Sequence, residues 1–262
     1  MEPPLWAWIA LILAVPVLAS IDLLVFGRGQ KEVAVRTAAL WSACWIALGL
    51  SFAVLMGLTQ GSTAAGEYLS GYLIEWSLSI DNLFVFAVIF GYFAVPKETQ
   101  PRVLMYGVLG ALVFRGLFIA IGAAALGAAR WVIYIFGAFL VFTAYRLARS
   151  TGDHVDPGRN KLLLLVNRFV PSTKGYHGNR VFIREGGHRL ATPLLAVLLV
   201  IASTDVVFAI DSIPAIFAVT DEAFIVLAAN VFAVMGLRAM YFVIVGMLTR
   251  FQYLNYGLAV VL

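Results

Sequence analysis

The sequence predicts an all-α protein, a polytopic transmembrane helical bundle with an inverted repeat, about seven complete spans and a truncated eighth. Three observations carry that expectation. Hydrophobic residues make up 62% of the chain and charged residues 12%, against the roughly 25% charge of soluble domains, and the mean hydropathy is +0.95. Apolar stretches near residues 5–26, 37–59, 69–95, 104–127, 129–148, 191–219 and 222–248 each approach the roughly 20 residues a helix needs to cross the hydrocarbon core. Two of these stretches carry a pair of carboxylates at the same spacing, Glu75 with Asp81 and Asp205 with Asp211.

Taken in order, the first stretch has no basic leader, carries Asp22 near its end and shows no small-residue cleavage site, so it reads as a permanent helix rather than a signal peptide. The second is rich in tryptophan and holds Cys44, the sole cysteine, which rules out an intrachain disulfide or thiolate cluster and leaves a small buried hydrophobe as its expected role. The third contains Glu75, Asp81 and Asn82, and the fourth contains Arg115. Gly107, Gly110, Gly116, Gly122, Gly127 and Gly137 in the fourth and fifth suit close helix packing. The sixth holds Asp205, Asp211, Ser212 and Pro214, and the seventh holds Asn230 and Arg238. An eighth apolar run begins near Leu254 and stops at Leu262, too short to span at about 1.5 Å per residue, so a C-terminal part is expected beyond it.

The whole of 1–262 reads as one transmembrane domain, with repeat units at about 69–148 and 191–262 and a long loop, 149–190, between them. Lysine and arginine crowd the odd-numbered loops, with Arg28, Lys31, Arg36, Lys97 and Arg102 in the first and third and eight cations from Arg149 to Arg189 in the fifth, while the even loops offer Arg130. The positive-inside rule therefore places the N-terminus outside and loop 149–190 in the cytoplasm. Within that loop Lys161 to Arg168 reads as an interfacial amphipathic helix, while Gly175-Tyr-His-Gly178 and Gly186-Gly187 read as turns. His154, His177 and His188 also lie there, at spacings that fit no metal-ligand template. The basic loop is explained by topology, and no recognition motif calls for a nucleic-acid partner.

Aligning Glu75 with Asp205 also brings Asp81 onto Asp211, and aligning the following helices separately brings Arg115 onto Arg238. The two units lie three helices apart, so the repeat is inverted, an arrangement that places transport sites near the bilayer midplane. Six residues advance roughly 600° and 9 Å along a regular helix, so the two acids of one helix cannot readily grip one ion. Pro214 is expected to break its helix beside Asp211 by freeing a carbonyl, and the two-fold relation is expected to bring Asp81 and Asp211 together, flanked by Glu75 and Asp205.

A charge at the centre of a membrane helix costs roughly 2.5–3.5 kcal/mol on insertion scales, so buried acids imply a function or a partner. Asp22, Glu75, Asp81, Asp205 and Asp211 oppose Arg115 and Arg238, five negative charges against two positive. The excess suits a divalent cation or protons and opposes an anion. Oxygen ligands from Asp81, Asn82, Asp205, Asp211, Ser79, Ser212 and Asn230 suit Mn²⁺ as substrate, or Mg²⁺ or Ca²⁺, better than softer metals. Desolvation favours protonated carboxylates and an arriving cation favours ionised ones, which supplies a cation/proton exchange. Arg115 and Arg238 are read as charge partners. No phosphate-binding loop, nucleophile with base or organic-cofactor motif is present, so an enzyme is not expected.

Ile21-Asp22, Ile74-Glu75, Ser77-Leu-Ser-Ile-Asp-Asn-Leu-Phe-Val-Phe86, Tyr92-Phe-Ala-Val-Pro96, Tyr176-His-Gly178, Ala191-Thr-Pro193 and the Asp-Ser-Ile-Pro-Ala run after Asp205 closely resemble the TerC family, in particular its Alx-like manganese exporters. The resemblance implies a bacterial inner (plasma) membrane protein that exports Mn²⁺, with Asp22, Glu75, Asp81, Asp205 and Asp211 carrying the metal. It also implies two alternatives: tellurite resistance, and assembly or metalation of membrane or secreted proteins, with loop 149–190 as the docking surface. Trp76 and Ala202 depart from the family pattern, where Lys and Glu are common, so the ligand set and ion selectivity are the features they bear on most.

Overall fold

The computed structural model describes residues 3–26, 33–149, 173, 175–185 and 188–261, with side chains described only as far as Met247 in the last helix. Among the described residues there are seven helices: α1 Leu5–Phe26, α2 Val35–Gln60, α3 Ser62–Tyr92, α4 Gln100–Ala128, α5 Val132–Arg149 and, beyond a hairpin, α6 Pro193–Phe217 and α7 Ala223–Val261. All but α5 are long and apolar enough to cross a membrane, and α5 is apolar over the shorter span Val132–Tyr145.

Two boundaries differ from those expected. Gly61 alone separates α2 from α3, and its φ of +96° with ψ of 171° is a conformation open to glycine but not to residues with a Cβ. The third helix therefore starts seven residues before the expected 69: Ser62 to Tyr68 contains no proline, and its one glycine, Gly66, is taken into the helix. The expected turn between a seventh span and an eighth near Leu254 is absent, since α7 runs unbroken to Val261. Thr249-Arg250-Phe251-Gln252 contains neither glycine nor proline, and polar residues by themselves do not stop a helix.

Loop 149–190 is not wholly irregular. Strand β1, Phe182–Glu185, pairs antiparallel with β2, His188–Ala191, in the register Phe182 to Ala191. Among the described residues the regular structure is all-α except for this hairpin, whose signal was two short runs separated by a glycine pair. Gly186-Gly187, the 161–168 segment and His154 lie outside the described residues, whereas Gly178 has a φ of +59° in a turn and His177 is exposed.

The hairpin marks one end of the bundle. The amide of Thr192, just before α6, donates to the Val181 carbonyl at 2.9 Å, and the Tyr176 hydroxyl donates to the Phe93 carbonyl at the end of α3 at 2.6 Å. Tyr241 of α7 donates to Gln100 at the start of α4 at the same end, at 3.3 Å. At the opposite end the Thr220 hydroxyl, just past α6, donates to Glu67 near the start of α3 at 2.6 Å. Helices α3 and α7 therefore run toward the hairpin, and α4 and α6 run away from it.

The core consists of α3, α4, α6 and α7. Helices α3 and α7 pack on one another, as do α4 and α6, with α2 against α3 and α7; α1 and α5 lie at the periphery. In lipid such packing rests on close contact rather than on the exclusion of water. Small residues at Ala228, Ala229, Ala233 and Ala239 keep α7 slender and buried. On α4, Gly107 faces the Ile201 methyl and Gly122 faces the Phe217 ring, where an added Cβ would come within 2.9 and 3.0 Å. Gly110, Gly116, Gly127 and Gly137 have open space instead, so the expectation of close packing holds for two of those six positions. Cys44 is exposed on α2 rather than buried.

Gly107→Leu is expected to destabilise the fold by about 1–3 kcal/mol through overpacking against Ile201. Gly116→Ala should be neutral or stabilising by up to about 1 kcal/mol from helix propensity; thermal unfolding in detergent compares them. Removing the hairpin tie with Tyr176→Phe should lower stability by about 0.5–1.5 kcal/mol. Burial pushes the Tyr176 phenol above its ordinary 10.0. Its folded form thus holds the proton more tightly than the unfolded form, so this contribution is intact below pH 10 and declines as pH rises past it. Unfolding of wild type and Tyr176→Phe across alkaline pH should show a steeper decline in the wild type than in the variant.

Candidate functional site

Arg115 lies halfway along α4 and is 1% exposed. A guanidinium stays charged at any physiological pH, so its burial requires acceptors, and four side chains on three other helices supply them. One terminal nitrogen, Nη1, donates to Glu75 Oε1 of α3, to Asn230 Oδ1 of α7 at 2.8 Å and, more weakly, to Ser212 Oγ of α6 at 3.4 Å. The other, Nη2, donates to Asp205 Oδ1 of α6 at 3.3 Å.

Local helix geometry aims each group. Ser79 lies one turn after Glu75 and donates to the same Oε1 at 3.1 Å, the i to i+4 relation that stacks two side chains on one helix face. Asn230 donates its amide nitrogen to the Val226 carbonyl one turn back at 3.0 Å, which leaves its oxygen directed at Arg115. Glu75, Ser79, Asn82, Asp205, Ser212 and Asn230 are all buried. Asn82 continues the Glu75 and Ser79 face of α3 toward the hairpin.

Two carboxylates and one guanidinium leave a formal charge of −1 in this pocket. Glu75 Oε2 and Asp205 Oδ2 are buried and accept no hydrogen bond, and Arg115 Nε donates none. Buried carboxylate oxygens without partners are expensive, so the cluster holds unspent capacity to bind a proton or a cation. Among the described residues no three His, Cys, Asp or Glu side chains converge as a metal cage; this cluster supplies two, Glu75 and Asp205, with Arg115 between them.

The remaining expected site residues are placed differently. Since α3 and α6 run in opposite directions and Glu75 and Asp205 share Arg115, the six-residue steps to Asp81 and Asp211 lead apart. Each step is roughly 9 Å, which sets Asp81 toward the hairpin and Asp211 toward the other end rather than side by side. Asp81 is exposed on α3 and Asp211 is half-buried on α6. Nor is α6 broken beside Asp211: the helix continues through Pro214 and ends at Phe217, so the proline falls in the last turn, where little helix remains to be disrupted.

Asp22 and Arg238 form a second pair. Arg238 Nε lies 2.9 Å from Asp22 Oδ2, and Nη2 donates to the Asp22 carbonyl at 3.0 Å. Arg238 therefore secures α1 to α7 and does not share the acids that its aligned counterpart Arg115 holds. Sequence reasoning missed Trp45, a buried residue of α2 whose indole faces Asp22. The signal available was its place one turn after Trp41 on the same face of α2.

The comparisons with known proteins follow this geometry. The family described as integral membrane protein TerC matches residues 60–262, a span that holds every member of the Arg115 cluster. An uncharacterized membrane protein of Myxococcus xanthus, STKORF319, is 43% identical over 262 residues, covering 100% of this chain and 81% of its own. A protein of Escherichia coli K12 named as a candidate membrane-bound redox modulator, Alx, is 43% identical over 269 residues, covering 99% of this chain and 83% of its own. A membrane protein of Mycobacterium bovis, Mb2742, is 39% identical over 259 residues, covering 97% of this chain and 65% of its own. No solved structure matches significantly. A family match over most of the chain, relatives aligned along its full length and a bundle of membrane-length helices agree: the chain is an integral membrane protein of the TerC family.

Proposed function

We propose that the protein exports a divalent cation, Mn²⁺, from the cytoplasm by exchange for protons. The observation that carries this reading is the buried, net negative pocket of oxygen donors where four core helices meet: Glu75, Asp205, Asn230 and Ser212, with Ser79 behind them. Hard divalent cations favour carboxylate, amide and hydroxyl oxygens, and no imidazole or thiolate is at hand to favour a softer metal. Mg²⁺ and Ca²⁺ share that preference and are the competing substrates.

Asp81 and Asp211 lie beyond the pocket toward opposite ends. In this reading Asp81 collects the cation on the hairpin side, the Glu75 and Asp205 pair holds it at mid-depth, and Asp211 passes it on. The hairpin end is assigned to the cytoplasm of a bacterial inner membrane because Lys97, Arg102, Arg180, Arg184 and Arg189 gather there, whereas Glu67, Asp221 and Glu222 lie at the other end. An inverted pair of units, about 69–148 and 191–262, accounts for the opposite placement of the two outer acids. Protonation of the carboxylates discharges the cation, and cation binding expels the protons.

An oxyanion such as tellurite would meet a negative pocket, so a tellurite effect would be indirect. A redox role like that in the name of the relatives would have to act without an intrachain dithiol, since this sequence contains one cysteine.

⁵⁴Mn²⁺ uptake into inside-out vesicles under an imposed proton gradient tests the proposal. Glu75→Gln and Asp205→Asn should each lower uptake by at least roughly tenfold, because removing one partner from a buried charged contact costs about 2–5 kcal/mol. Asp81→Asn and Asp211→Asn should slow uptake while leaving equilibrium binding to the central pocket. Uptake by wild type no greater than by empty vesicles would refute the proposal.

A further inference from the structure

We infer that Arg115 is a tethered cation that fills the transport site between substrates and must leave when a divalent cation enters. The inference rests on the proposed function and specifies how the site is regulated. Four oxygens accept from its two terminal nitrogens: Glu75 Oε1, Asp205 Oδ1, Asn230 Oδ1 and Ser212 Oγ. They are the same oxygens that a hard divalent ion would take as ligands. A guanidinium and a metal ion cannot both occupy the centre of one small oxygen set.

Charge leads to the same exclusion. Glu75 and Asp205 supply −2; Arg115 reduces this to −1, a divalent ion in its place brings it to 0, and both together would leave +1 in a buried pocket. The neutral arrangement is the one without the arginine, and low-dielectric surroundings amplify the difference.

The hold on the arginine is also incomplete. Glu75 Oε2, Asp205 Oδ2 and Arg115 Nε are buried without hydrogen-bond partners. The guanidinium therefore does not form the parallel two-nitrogen, two-oxygen fork that makes arginine and carboxylate pairs strong. A metal ion placed between the carboxylates can use the two oxygens that Arg115 leaves idle. The side chain comes from α4, while its four acceptors belong to α3, α6 and α7, so its withdrawal uncouples α4 from the other three core helices at this level.

Two consequences follow. The tethered charge lowers the affinity of the site for free cations, because each must displace it. It also neutralises part of the acid pair when no substrate is bound, so the empty site is never a bare pair of buried carboxylates.

Equilibrium binding of ⁵⁴Mn²⁺ to detergent-solubilised protein, measured by scintillation proximity, tests this without reference to transport. Arg115→Gln and Arg115→Ala are expected to bind Mn²⁺ roughly tenfold tighter than wild type or more, a change of about 1.4 kcal/mol. In Arg115→Ala, millimolar guanidinium should compete with Mn²⁺ and restore the weaker affinity, with no such competition in wild type. Arg115→Lys keeps the charge and guards against loss of folding in the other variants; a single ammonium cannot bridge both acids as a guanidinium does, so it too should bind tighter than wild type. Unchanged affinity in the folded Arg115 variants, with Glu75→Gln abolishing binding, overturns the inference and leaves the proposed function standing. No Mn²⁺ binding by wild type or any variant overturns the proposed function and the inference with it.

Discussion

The contact on which the core depends is the clasp of Arg115 on Glu75 and Asp205. Any one of these three charges, left unpaired at mid-depth, would be very expensive, and each is tolerable because the others are within reach. The clasp also fixes geometry. It sets the level of α3 against α6, and with it the level of every other residue on those helices, including the acids at Asp81 and Asp211. Asn230 and Ser212 complete the acceptor set, and Ser79 and the Val226 carbonyl orient them, so four helices are brought into register around one guanidinium.

The second buried pair serves a narrower purpose. Arg238 engages both the carboxylate and the backbone carbonyl of Asp22, which turns the last part of α1 into an attachment point for α7. The two arginines occupy matching places in the aligned units and hold different partners. One arginine sits among the acids of two core helices, and the other secures a peripheral helix.

Much of the fold was legible in the sequence because hydropathy and helix length are local properties. The positions of most spans, the burial of Glu75, Asp205, Asn230 and Arg115, and the pairing of acids with arginines could all be read from residue type and spacing. What could not be read depended on direction and contact. The six-residue step from Glu75 to Asp81 gives an azimuth and a rise but does not say that the same step from Asp205 leads the opposite way once both acids meet one arginine. Pro214 looked like a break because proline disrupts helix interiors, yet its effect depends on how much helix follows, and here three residues do. The unbroken α7 shows the same limit: charges near a helix end mimic a loop when neither glycine nor proline is there to make one. Cys44 was misplaced because burial in a membrane protein is measured against neighbouring helices, and a lipid-facing apolar residue has the same sequence signature as a core one.

The two glycine notches on α4 have a mechanical meaning beyond packing. Gly107 and Gly122 lie eight residues before and seven residues after Arg115, so α4 meets α6 without a side chain of its own at two levels, roughly 10–12 Å to either side of the charge. A rod held at two points around a central load has two fulcra. Parting α4 from α6 at the Ile201 contact leaves the Phe217 contact as the pivot, and parting them at Phe217 leaves Ile201. Because the notches sit on opposite sides of the guanidinium, parting the helices at either one with the other as pivot draws the Arg115 level of α4 away from α6.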